Sequence, residues 1–219
     1  MTVKQTPEEL IGILKESKKT HLNIAEKMLK ADNSALYPLD LLAVAVFKRS
    51  LSLIRGFTTL IEDENFICAV PLIRLQLDNL LRFYASFIVT EPHKFANDII
   101  DGKHVRNLKD SKGNKMTDRH LVERMAEDFP WIKSVYEKTS GFIHLSNEHV
   151  FDSFKGSQNY KERKLSIAIT DKDEEVSEEI KIEAIKAMCH ITQELLRYLY
   201  GWTWTKDNPT EVEKKRSKS

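Results

Sequence analysis

PLDLLAVAVFKRSLSLIRGFTTLIEDENFICAVPLIRLQLDNLLRFYASFIV, residues 38–89, is the stretch on which the fold turns. Its apolar residues recur at helical spacing on both sides of one polar break, Glu62-Asp63-Glu64-Asn65. Before the break, Leu41 to Phe47 is apolar on every side, which predicts a turn buried all round; Leu42, Val46, Leu53, Gly56 and Leu60 mark the packed face, and Arg49 falls on it. Lys48, Arg49 and Arg55 exclude a membrane span. After the break, Ile73, Leu77, Leu80, Tyr84, Phe87 and Ile88 predict a second helix from about Phe66 to Val89, which Pro71 either kinks or begins. Two long helices joined by so short a turn predict an antiparallel hairpin at the centre of a mainly α, multi-helix bundle.

The flanking sequence adds helices around that hairpin. Thr6 before Pro7-Glu8-Glu9 combines a capping hydroxyl, a proline at the first helical position and acids at the positive end of the dipole, so a helix runs to about Lys30. Glu91-Pro92 starts a shorter helix to about Ile100, and Thr117-Asp118 caps another to about Asp128. Pro130 opens a further one through Trp131, Val135 and Tyr136, with Gly141 as a break before Phe142 to Phe154. Ser177-Glu178-Glu179 begins a last long helix with the stripe Ile182, Ile185, Cys189, Thr192, Leu196 and Leu199, ending near Gly201. Between these, Asp101 to Lys115 reads as an exposed, mobile loop, and Lys164 to Thr170 alternates with period two as one short β element. Residues 1–205 make one domain by this reading, and 206–219 a disordered polar tail.

Composition agrees with long uninterrupted elements. Gly (7) and Pro (6) are scarce in a chain of 219 residues, and 41% apolar content supplies a sizeable core. The formal charge of +1 leaves no global basic field to draw nucleic acid, so any charged site must be local. The N-terminus lacks a basic-then-apolar leader and no stretch reaches the length of a membrane span, which predicts a cytoplasmic chain without a membrane partner. Cys68 and Cys189, both in apolar helical patterns, read as small core residues of a reduced protein, a single bridge being the alternative.

Arg74, Asp78 and Arg82 follow at i, i+4 and i+8 among Leu, Ile and Phe, which puts one acid between two bases on one face. Such a cluster is either an ion-pair network fixing the register of the bundle or a phosphate site, and Arg49 on the adjacent helix can join it. Tyr136, Ser140, His144 and Glu148 recur at four-residue intervals and share a face if their helix is continuous. A histidine beside a hydroxyl and a carboxylate suits acid/base work, with a core histidine as the plainer reading of His144. Neither a Glu-x-x-His pair, His-Glu-x-x-His nor Cys-x-x-Cys occurs, and there is no P-loop or Gly-x-Gly-x-x-Gly, so no metal and no cofactor is expected. Trp202 and Trp204 are core or interface anchors, and their end of the chain is a candidate protein-docking surface.

The run Pro71-Leu-Ile-Arg74-Leu-Gln-Leu-Asp78-Asn-Leu-Leu-Arg82-Phe-Tyr84, followed by Ser140-Gly-Phe-Ile-His144 and a late helix, resembles the HEPN superfamily of higher eukaryote and prokaryote nucleotide-binding domains, and bacterial all-helical proteins near it. The resemblance implies a helical bundle, often a homodimer, from a bacterial defence or stress system against phage. It further implies a cleft where an arginine meets a histidine and binds RNA, a nucleotide or a partner protein; some members cleave RNA without metal. The family's catalytic signature places a histidine a few residues after an arginine within one helix. In this chain Tyr136 and Ser140 stand where that arginine is sought ahead of His144, so the resemblance implies a non-catalytic binding domain. The alternatives are a ribonuclease in which His144 works with Arg74 and Asp78, and a structural dimerisation module. Arg49, Arg82, Tyr136, Ser140 and Glu148 would line the binding site.

Overall fold

A computed structural model describes residues 5–140, 172–173 and 176–209. Four long helices form its frame: α1 (Pro7–Lys30), α2 (Pro38–Glu62), α3 (Phe66–Ile88) and α7 (Glu178–Asp207). Three short helices complete the described residues: α4 (Pro92–Ile100), α5 (Asp118–Ala126) and α6 (Trp131–Ser140). No strand occurs among the described residues, and the alternating segment 164–170 lies outside them. No helix of the described residues is long and apolar enough to cross a membrane.

Pairings along the chain fix the directions of the long helices. Lys15 meets Glu62 and His21 meets Ser50, so α1 and α2 are antiparallel. Asn79 reaches the Val46 carbonyl and Arg49 reaches Asp78, which makes α2 and α3 the antiparallel hairpin expected from sequence. A Cβ on Gly56 of α2 would come within 3.2 Å of Leu72 on α3, so the bare glycine permits that close approach. Gln76 meets Thr192, and Phe87 lies against Gly201, so α3 and α7 are parallel. The Cys189 thiol and the Lys206 ammonium bond the Leu10 and Met28 carbonyls, so α1 and α7 are parallel too. α5 and α6 pack on α3, and α4 packs on α2.

The molecule departs from the sequence expectations at several places. Leu41 and Val44 are 48% and 42% exposed, so the first turns of α2 keep a solvent face. The buried stripe of α2 is Ala43, Val46, Phe47, Ile54, Phe57 and Ile61, with Leu42, Leu53 and Leu60 on its flanks. An all-apolar turn carries no phase information, and single apolar side chains at the surface are ordinary. Phe87 is exposed while Ile73, Leu77, Leu80 and Tyr84 are buried as expected. Pro71 lies inside α3, which Asn65 caps through the Cys68 N–H. Cys68 is exposed and Cys189 half-buried, and both are free thiols; burial pushes the Cys189 thiol up to about 11. The last helix continues past Gly201 to Asp207, with Trp202 and Lys206 buried rather than at a docking surface or in a tail.

Asp101 to Lys115 is exposed over much of its length, but it is pinned. Val105 and Met116 are buried, the Ser111 N–H donates to the Ile88 carbonyl, and Lys109 pairs with Lys115 across a turn in which Gly113 takes φ +86°. Asp110 organises that turn by accepting from the Lys112 and Asn114 N–H groups and from His120 Nε2, at 2.8–2.9 Å. Burial works against its ionisation, yet these donors outweigh burial and hold the carboxyl down at about 2.

One buried polar chain crosses the whole frame. His21 Nδ1 lies 2.8 Å from the Ser17 carbonyl, so Nδ1 carries the proton and Nε2 accepts from the Ser50 hydroxyl at 2.9 Å. The Gln76 amide donates to Ser50 at 2.7 Å and to Thr192 at 3.2 Å. Each of the four long helices thus contributes one side chain to a single line of hydrogen bonds, with the Phe47 ring edge-on to His21 at 6.2 Å.

Candidate functional site

The i, i+4, i+8 spacing on α3 brings Arg74, Asp78 and Arg82 to one face, and the antiparallel approach of α2 adds Arg49. Arg49 Nη1 donates to Asp78 Oδ2 at 2.9 Å, and Arg82 Nε donates to Asp78 Oδ1 at 3.0 Å. Asp78 is therefore clasped from both helices of the hairpin. A second carboxylate, Asp118, enters from α5: Arg82 Nη2 donates to its Oδ1, and Arg74 Nη2 to its Oδ2 at 3.2 Å. Asp118 is the first residue of α5, where the helix dipole also favours a negative charge. The Arg74 guanidinium lies over the Tyr136 ring of α6, 4.1 Å from its centroid.

Five of the residues singled out in the sequence thus gather at one place: Arg49, Arg74, Asp78, Arg82 and Tyr136. Ser140 is on α6 one turn after Tyr136, but its hydroxyl donates to the Tyr136 carbonyl at 2.6 Å, so it serves its own helix rather than the cluster. His144 and Glu148 lie outside the described residues. From sequence, Asp118 marks only the start of a helix. Nothing in a single sequence joins it to arginines 36 and 44 residues away.

Three guanidinium groups face two carboxylates, a local excess of one positive charge. The cluster grades from dry to wet, since the Arg74 side chain is 10% exposed and that of Arg49 41%. Within it, Arg74 Nη1 and Arg82 Nη1 are buried and have no hydrogen-bond partner among the described residues. A buried donor left unmet costs about 1–3 kcal/mol, so the cluster holds two groups that an additional acceptor would stabilise.

The same contacts clamp α5 and α6 onto the hairpin. Arg74→Ala removes one of the two guanidinium bonds of Asp118 and uncovers Tyr136. We expect urea denaturation to show a loss of about 1–3 kcal/mol, below the figure for a fully buried pair because Asp118 is part-exposed. A loss under about 0.5 kcal/mol would show that the clamp carries little of the stability.

Among the described residues no group of three or more His, Cys, Asp or Glu side chains is placed to hold a metal ion. No family model matches the chain, and no curated protein or solved structure matches it.

Proposed function

We propose that the chain is a non-catalytic helical binding domain, of the kind the HEPN resemblance implies, and that its arginine cluster takes a phosphate-bearing ligand such as RNA or a nucleotide. In this reading it acts as a homodimer in the cytoplasm of a bacterial cell, within a defence or stress system. The observation that carries the reading is the composition of the cluster: an excess guanidinium, two unmet N–H donors and an exposed arm, Arg49. Guanidinium groups bind phosphate through paired charge-assisted hydrogen bonds, and Asp78 and Asp118 hold these arginines in position as a carboxylate-braced site requires. Asp118 already bridges Arg74 and Arg82 with its two oxygens, the same two-point pattern a phosphate would use.

Arg49 is the residue to change, because Asp78 keeps Arg82 when Arg49 is gone. With a fluorescent single-stranded RNA pool, anisotropy should show weaker binding by Arg49→Ala and a salt dependence shallower by about 0.7 in log–log slope, one phosphate contact. Thermal unfolding should move little, since the pair removed is part-exposed and Asp78 keeps Arg82. Equal RNA affinity and slope in wild type and variant, or no RNA binding by the folded wild type at low salt, would overturn the proposal. Cleavage of the pool in EDTA that disappears in His144→Ala would replace it with the ribonuclease reading, in which His144 is the acid/base and Arg74 holds the phosphate.

A further inference from the structure

A cavity of about 430 Å3 opens where α2 begins, α3 and α7 end and α4 starts, a volume within the range of small-molecule sites. Tyr37, His93, Trp202 and Phe87 wall it, and Asp32 stands at its side. The Tyr37 and His93 rings stack at 5.2 Å, and Trp202 meets them edge-on at 6.3 and 5.5 Å. Polar bonds fix two of these rings: Trp202 Nε1 donates to Asp40 at 2.8 Å, and the Tyr37 hydroxyl donates to Asp32 Oδ2 at 2.5 Å. The walls are therefore set before any ligand arrives.

The donors and acceptors of the wall define the ligand. The Ser86 hydroxyl donates to the Phe83 carbonyl at 2.7 Å, and that of Thr205 to the Gly201 carbonyl at 2.9 Å. Lys206 Nζ donates to the Met28 carbonyl and to Asp40 Oδ2, each at 2.9 Å. The two hydroxyls are thus spent within the protein, and Lys206 has two of its three N–H groups engaged, its Nζ 5.7 Å from the Tyr37 ring centroid. Asp32 keeps a second carboxylate oxygen and has no ion-pair partner among the described residues, while Lys206 and Asp40 cancel each other. The His93 ring also has a buried nitrogen, Nδ1, with no partner among those residues; burial lowers the pKa of this ring, favouring its neutral form, in which one nitrogen donates and the other accepts. The carboxylate is also held in an unusual way. Asp32, Asn33 and Ser34 take φ of 50°, 52° and 63° in succession, a left-handed turn of three non-glycine residues, and backbone strain of this sort collects at binding sites.

We infer that this cavity binds a small organic cation, an ammonium group carried on a compact apolar or aromatic body. Its N–H donors meet Asp32, and the ring walls receive both the charge and the body. An anion meets the Asp32 charge, and a neutral molecule leaves that charge unmatched. A free amine and the lysine side chain of a peptide offer the same ammonium chemistry.

Calorimetric titration of the full chain with benzylammonium, benzyl alcohol, benzoate and the amide of Nα-acetyl-lysine tests this. We expect an amine to bind with a change in tryptophan fluorescence, and the alcohol and the acid not to bind. Asp32→Asn keeps an acceptor for Tyr37 and should weaken the amine about tenfold or more. Phe87→Ala, which alters no polar bond of the cavity, should weaken it about threefold. Tighter binding of the lysine amide would identify the source as a peptide, and tighter binding of benzylammonium as a free amine. Equal binding of benzyl alcohol or benzoate, amine affinity unchanged in a folded variant of either kind, or no amine binding by the wild type up to about 10 mM would overturn the inference.

Discussion

Asp40→Asn should lower the stability of the chain by about 3–5 kcal/mol, a large part of the about 5–15 kcal/mol that holds a domain of this kind together. Asp40 and Lys206 form an ion pair in which both side chains are 0% exposed. Asp40 accepts from the Lys206 ammonium, from Trp202 Nε1 and from the Tyr37 N–H, and so ties the start of α2 to the end of α7. An amide at this position leaves the ammonium without a counter-charge and turns one donor toward others. Lys206→Met should cost less, because the carboxylate keeps two N–H donors. A double variant, Asp40→Asn with Lys206→Met, should recover part of the loss, since no buried charge is then left unmatched. Urea denaturation with tryptophan fluorescence reads all three, and a loss under about 1 kcal/mol for Asp40→Asn would mean that water reaches the pair after all.

His21→Leu should cost about 2–4 kcal/mol at pH 7.5 and also flatten the pH dependence of stability. Burial holds the His21 pKa below the ordinary histidine value, the Ser17 carbonyl opposing this only in part. As pH falls, the unfolded chain therefore takes up the proton before the folded chain does. The stability owed to the neutral ring is complete above about pH 6.5 and drains away as pH drops below that toward the folded value. Protonation would also give Nε2 a hydrogen pointing at Ser50, so that the hydroxyl loses its acceptor. His93, lowered in the same direction by burial, adds to the slope in both proteins, and Asp110 titrates only near pH 2. The quantity to measure is the difference between wild type and variant at pH 7.5 and at pH 5. An unchanged difference would sink the assignment of His21 as a neutral buried ring.

What the sequence told and what it hid divide along physical lines. Periodicity over residues 38–89 revealed the hairpin, because a long amphipathic helix writes its packed face into its spacing. The α3 triplet was legible for the same reason, and Arg49 could be added once the hairpin was drawn. Asp118 and the Asp40–Lys206 pair could not be found, since each joins positions that only the folded chain brings together. Lys206 was misplaced because a lone lysine near a polar run looks like surface, and its burial depends on a carboxylate from another helix. His21, Ser50 and Gln76 carried no signal, and Thr192 stood only as one position of a packed stripe, because polar residues inside apolar stripes give no sign of pairing with one another.

The parallel contact of α1 with α7 sets an order of assembly. The two helices are separated by nearly the whole described chain, so their pairing closes a very long loop and is entropically the slowest to form. During synthesis α2 and α3 can pair as soon as both have emerged, and α1 can pack on α2, whereas the side of α1 that meets α7, at Leu10 and Met28, stays uncovered until Cys189 and Lys206 have emerged. A chain stalled before α7 would therefore display that side to the solvent, and a chaperone recognising apolar helix faces would find it there.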